Sequence, residues 1–158
     1  MPEPKKVELD GFDRAILAIV QQDAGKPLRV IADAVNLSTA AVQRRLQRME
    51  AGGVIRANVA IIDPTLVGKP ITILVEVQIE RAQIDALDAL KVHFSGPEIQ
   101  QCYYVTGEAD FVLVLAVATM EEYQAKARRL FYENKDVKWF RTIVVMDRVK
   151  VGLTVPLG

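Results

Sequence analysis

The hydrophobic period of this chain first changes at Pro70. As far as Val54-Ile55 the apolar residues recur every three or four positions, whereas beyond Pro70 they recur every second position. The first spacing buries one stripe of a helix and the second buries one face of a strand. A chain of 158 residues is thereby divided into two small halves of different construction, with Pro64 to Pro70 punctuating the boundary.

In the first half, Leu28, Ile31, Ala32 and Val35 stand at i, i+3, i+4 and i+7, one face of a short helix. Asn36-Leu37-Ser38 interrupts it, and Ser38 suits an N-cap because its hydroxyl can accept an unpaired amide of the next helix. Val42, Leu46 and Met49 then define the inner face of that next helix, which Gly52-Gly53 ends. Two short helices joined by a tight polar turn read as a helix-turn-helix. Upstream, Phe12, Ile16, Leu17 and Val20 form the stripe of a further helix with Asp10 and Asp13 near its positive end, enough to close a three-helix core.

The second helix of the pair carries the functional argument. At about 100° per residue, Arg44, Gln47 and Arg48 point away from Val42, with Arg45 on the flank. Forked guanidiniums and amides match the acceptors that base edges and phosphates present in the major groove of double-stranded DNA. The candidate DNA-binding residues are Ser38, Thr39, Ala41, Gln43, Arg44, Arg45, Gln47 and Arg48, with Ala40 and Ala41 small enough for close backbone approach. A solvated basic face is the alternative, and the preceding helix and turn favour DNA.

After Ile55, Arg56 to Asp63 is β-prone and reads as a linking strand. Ile71, Ile73, Val75, Val77 and Ile79 alternate with mostly polar residues as a strand. Ile84, Leu87, Leu90 and Phe94 make a helical stripe, Ile99 to Val105 and Phe111 to Val117 two strands, Tyr123, Ala127, Leu130 and Phe131 a second helix, and Val137 to Val149 a long last strand. The order βαββαβ is the ferredoxin-like split arrangement, with both helices on one face of a four-stranded sheet. In the last strand both alternating sets are apolar, Ile143 with Val145 and Val144 with Met146. With no element left to cover the second face, a second copy of the sheet is expected to do so, as an isologous homodimer.

The fold expected is thus α+β: a helix-turn-helix domain, then a ferredoxin-like domain. Its expected divisions are a tail over 1–8, the helix-turn-helix domain over 9–56, a linker strand and loop over 57–69, the dimerisation domain over 70–152, and a tail over 153–158. Lys and Arg total 20 against 20 Asp and Glu, so DNA affinity must rest on local charge. One cysteine fits a reducing compartment, and the absence of a long apolar run or leader pattern reads as cytoplasmic with no membrane partner. One histidine and one cysteine, without a metal-ligand cluster or phosphate-cradling loop, leave little to run a reaction and call for no metal or cofactor. His93 reads as solvent-facing, Cys102 as an apolar filler, and Trp139 as an edge or interface residue.

Several residues together bear a family likeness: Leu9-Asp10, Asp13, Ile16-Leu17, Asp23, Ala32, Val35, Leu37-Ser38, Val42, Arg45, Leu46, Met49-Glu50 and Gly53-Val54-Ile55, then Val105, Gly107, Asp110 and Arg141 to Met146. From Leu9 to Val151 the chain resembles the Lrp/AsnC family of transcription regulators. The resemblance implies a winged-type helix-turn-helix, an ACT-like second domain over 70–152 that binds and senses an amino acid, dimers that assemble further to tetramers or octamers, and effector bound between subunits. One departure is Thr39 and Ala41, where many relatives carry proline, so base preference is expected to differ. By pattern alone Thr106 to Asp110 is a plain hairpin connection; the resemblance makes it an effector loop. The candidate effector-binding residues are Tyr104, Val105, Thr106, Gly107, Glu108, Ala109, Asp110, Ile143 and Val144. Their apolar part suits an aliphatic or methionine-like side chain, while Glu108 keeps a cationic one open. The function expected is a DNA-binding regulator biased by an amino-acid effector; the alternative is an amino-acid-binding assembly protein that has lost DNA.

Overall fold

The computed structural model describes residues 7–80 and 84–157. The expected N-terminal tail through Lys6 and the Ile84 side chain lie outside the described residues. The chain forms two compact units, one comprising residues through Ile61 together with those from Lys150 onward, the other Ile62 to Val149.

The first unit holds α1 (Gly11–Val20), α2 (Leu28–Val35) and α3 (Thr39–Ala51). Helix α1 starts with a capping box: Asp10 accepts the Asp13 amide at 2.8 Å and Asp13 accepts the Asp10 amide at 3.0 Å, which satisfies two amides a helix start leaves over. Helix α2 ends at Asn36, whose φ of 55° turns the chain into α3. Ser38 caps α3 as expected, accepting the Ala41 amide at 3.2 Å. The apolar faces meet in a core of Ile16, Leu17, Ile31, Ala32, Val35, Val42 and Met49.

Two expectations are corrected in this unit. No strand lies between α3 and Pro70 among the described residues, so the helix-turn-helix carries no wing within one chain, and Arg56 to Asp63 has no ladder partner there. A strand needs a neighbour for its amides and carbonyls, and one chain provides none here, leaving Val59, Ile61 and Ile62 exposed. The C-terminal segment, expected to be a tail, belongs to this unit. Gln21 exchanges two hydrogen bonds with the Val155 backbone, at 3.0 and 2.9 Å, and Leu157 packs against the helical core.

The second unit contains β1 (Ile71–Ile79), α4 (Ile84–His93), β2 (Gln101–Tyr104), β3 (Phe111–Val117), α5 (Met120–Ala127), which continues as a π-helical turn over Arg128–Tyr132, and β4 (Val137–Val144). The sheet order is β2-β3-β1-β4 with every neighbour antiparallel, the expected split arrangement. Alternate residues Ile73, Val75 and Val77 of β1 and Phe111, Leu113 and Leu115 of β3 pack with Leu90, Phe94, Tyr123, Leu130 and Phe131 into one core. Both helices therefore cover the same face. Phe94 meets Phe111 nearly edge-on at 5.2 Å, a favoured ring geometry.

The last strand stops at Val144 instead of Val149. The Val145 amide still reaches the Thr72 carbonyl, and Pro70, the residue before β1, has no N–H with which to continue the ladder. Met146, expected to be covered, is 96% exposed in the single chain. On the open face Leu74 pairs with Ile143 and Gln78 with Trp139, and Glu76 takes a 2.7 Å bond from Arg141.

Ahead of β1, Lys69 donates to both carboxylate oxygens of Glu122 at 2.7 and 2.9 Å, and the Ala118 amide donates at 2.8 Å. The Lys69 bonds first, then that amide, lower the Glu122 carboxyl to about 2. A carboxyl depressed in the folded state contributes its stability above its unfolded value, about 4.3, and loses it as pH falls through the folded one. Glu122→Gln is therefore expected to flatten the decline in stability between about pH 5 and pH 2, measured by chemical denaturation at each pH. An unchanged acid limb contradicts this.

Candidate nucleic-acid interface and effector loop

Helix α3 turns Val42 and Met49 into the core and leaves Thr39, Gln43, Arg44 and Gln47 exposed. The three arginines expected on the outer side separate into two kinds. Arg44 is exposed with no ion pair among the described residues. Arg45 bonds Asp10 and Asp13, both at 2.8 Å, and Arg48 bonds the other oxygen of Asp13. The Asp13 side chain is fully buried, so two guanidiniums and a backbone amide supply the partners that a buried carboxylate requires.

The Asp13 amide first, and then Arg45, hold the Asp10 carboxyl below its ordinary value, and the Arg45 guanidinium is raised chiefly by Asp10. Arg45 also lies over the Phe12 ring at 5.5 Å. Arg45 and Arg48 thus fasten α3 to α1, with Arg48 still exposed on its outer side. From local sequence Asp10 and Asp13 stand only at the positive end of a helix dipole; the packing of α3 on α1 makes them the partners of Arg45. A sign was available, because Asp10, Asp13 and Arg45 all stand among the residues that carry the family likeness. Leu37, Ala41 and the three arginines line a cleft of about 300 Å³, a concavity of positive charge suited to a phosphate group.

The candidate effector loop joins β2 to β3. Gly107 has φ 125°, and a Cβ placed there would meet nothing within 4 Å, so glycine answers a backbone need and the space beside it is open. Thr106 and Glu108 are exposed, with Val105 and Ala109 half-buried. Asp110 behaves differently from expectation. It is buried, and its carboxylate accepts the Ile79 amide at 2.9 Å, where the β1–β4 register shifts between Gln78 and Ile79. It secures that irregularity.

Ile143 and Val144 do not join the loop within one chain. Tyr104 is on edge strand β2 and pairs with Phe111, whereas Ile143 and Val144 are on the opposite edge, paired with Leu74 and Ile73. Three interstrand steps of about 4.8 Å separate those edges, and the loop adjoins the Val77 end of β1. A pocket using both sets needs more than one copy. Cys102 is half-buried and burial raises its thiol pKa, in keeping with a filler. His93 is corrected: it is half-buried, with its ring nitrogen 3.2 Å from the Leu130 carbonyl.

Residues 9–50 match the model of the AsnC-type helix-turn-helix domain and residues 72–155 that of the Lrp/AsnC ligand binding domain. The chain belongs to the Lrp/AsnC family of transcriptional regulators. An uncharacterised HTH-type transcriptional regulator of Sinorhizobium fredii is 46% identical over 96% of this chain and 90% of its own length. A leucine-responsive regulatory protein of Haemophilus influenzae is 31% identical over 95% and 91%. An AsnC family transcriptional regulator from Agrobacterium tumefaciens superposes with a TM-score of 0.87 at 31% identity, covering 94% of this chain and 97% of that one. Members of the Lrp/AsnC family are regulators, not enzymes. Among the described residues no helix is long and apolar enough to cross a membrane.

Proposed function

We propose that this Lrp/AsnC regulator binds double-stranded DNA as a homodimer and that an amino acid, held between copies, alters its assembly. The observation that carries the DNA part is Arg44, left unpaired on a helix whose other two arginines are engaged by Asp13. An exposed guanidinium at the centre of a second helix suits base-edge or phosphate contact in a major groove. Gln47 is exposed one turn on beside it and Gln43 and Thr39 are exposed toward the helix start, with Ser38 and Ala41 there too and Arg45 and Arg48 lending positive potential.

The half-exposed open sheet face and the unpaired 56–63 segment support pairing with a second copy. Further assembly to tetramer or octamer would let Ile143 and Val144 of one copy face the loop of another. The Haemophilus relative's name, leucine-responsive, supports an amino acid as the effector, and an apolar lining supports an aliphatic or methionine-like one. Cytoplasmic residence follows from action on DNA.

The test titrates the amino acids singly into wild type and Gly107→Ala, reading oligomer mass by light scattering and affinity for the gene's upstream DNA. At least one amino acid is expected to shift the wild type. Gly107→Ala, strained by about 1–3 kcal/mol at that φ, should bind DNA but lose the shift. No response of the wild type, or an identical response of the variant, rejects the effector part.

A further inference from the structure

Beside edge strand β4, on the helix-covered side of the sheet, a cavity of about 540 Å³ opens between that strand and the end of α5. Its size is typical of small-molecule sites, which run to about 300–1,000 Å³. The lining contains one charged group, Arg128, and no carboxylate. Arg128 is exposed and has no ion pair among the described residues.

The wall that carries Arg128 is the π-helical turn, in which the Glu133 amide reaches five residues back to the Arg128 carbonyl at 2.9 Å. Such turns recur at functional sites. Tyr132 and Phe140 border the same cavity with rings 4.9 Å apart and nearly perpendicular, offering a third ring both a face and an edge. On the inner side, the Tyr123 and Thr142 hydroxyls bond to each other at 2.5 Å. One of the two protons is used in that bond, and the other is left to donate outward.

We propose that this cavity binds an aryl-substituted carboxylic acid that lacks an ammonium group, with Arg128 gripping the carboxylate, Tyr132 and Phe140 holding the ring, and the hydroxyl pair donating to a remaining oxygen. A guanidinium binds a carboxylate through two parallel bonds. An α-ammonium would find the one fixed charge of the lining to be of its own sign and no carboxylate to pair with, which separates this ligand class from the amino acids proposed for the loop. The cavity and the loop share no residue, so either can fail without the other.

The test measures phenylpyruvate and L-phenylalanine binding by calorimetry to full-length wild type, Arg128→Ala, Thr142→Val and Gly107→Ala, with thermal unfolding as the control for folding. Phenylpyruvate should bind the wild type and Gly107→Ala alike, and should bind Gly107→Ala at least tenfold more tightly than L-phenylalanine does. Arg128→Ala, at an exposed position, should unfold as the wild type does and lose at least tenfold in affinity. Thr142→Val should lose less. No phenylpyruvate binding at millimolar concentration, undiminished binding by Arg128→Ala, equal binding of L-phenylalanine by Gly107→Ala, or loss of phenylpyruvate binding in Gly107→Ala would each overturn the proposal.

Discussion

Replacing Asp13 with alanine is expected to destabilise the helical unit by about 3 kcal/mol, because it removes the centre of a buried charge cluster. The carboxylate accepts the Asp10 amide and bonds Arg45 and Arg48, so its loss uncaps α1 and unties α3 from it in one step. Asp13→Asn retains an acceptor for the amide but not the charge, and should fall between wild type and Asp13→Ala. The measurement is urea denaturation followed by helical circular dichroism. A loss below about 1 kcal/mol for Asp13→Ala, within the range of an ordinary surface change, would show that the cluster does not hold the helices together.

Arg44→Ala should give the converse result, with stability within about 0.5 kcal/mol of wild type and DNA affinity reduced at least tenfold. A guanidinium bidentate to a base contributes about 1–3 kcal/mol of discrimination. If Arg44 meets phosphate instead, the loss is uniform across sequences and the salt dependence of binding falls by about one ion. Fluorescence anisotropy against upstream and scrambled duplexes across a salt series separates these cases. Unreduced affinity for both duplexes would remove α3 as the contact element.

These two residues also mark the limit of what periodicity reveals. Rotation about the α3 axis orders side chains by direction, and by that measure Arg44 and Arg48 look alike. It contains no information about α1, whose Asp13 claims Arg48 and Arg45 from across the core. The βαββαβ order was legible because alternation at Ile73, Val75 and Val77 reports a buried face directly. The end of β4 was not, since Val145 and Met146 continue the apolar run while the ladder with β1 ends at Val144 opposite Ile73.

The candidate effector set shows the same division. Gly107 was legible, as a turn needing positive φ selects glycine. The family likeness makes Asp110 a candidate ligand group, yet its carboxylate turns inward to the Ile79 amide. That bond depends on a register shift in β1, which no local pattern announced. The separation of Tyr104 from Ile143 follows from strand order, with β2 and β4 at opposite edges, and so belongs to topology.

Whether recognition helices meet DNA in pairs is answered most directly by hydroxyl-radical footprinting of wild type on the gene's own upstream duplex. Two protected patches on one face of the helix, with centres separated by about 34 Å or a multiple of it, are expected, and both should fade together in Arg44→Ala. A solitary protected patch, or paired patches that Arg44→Ala leaves intact, would contradict a regulator that reads DNA through two copies of α3.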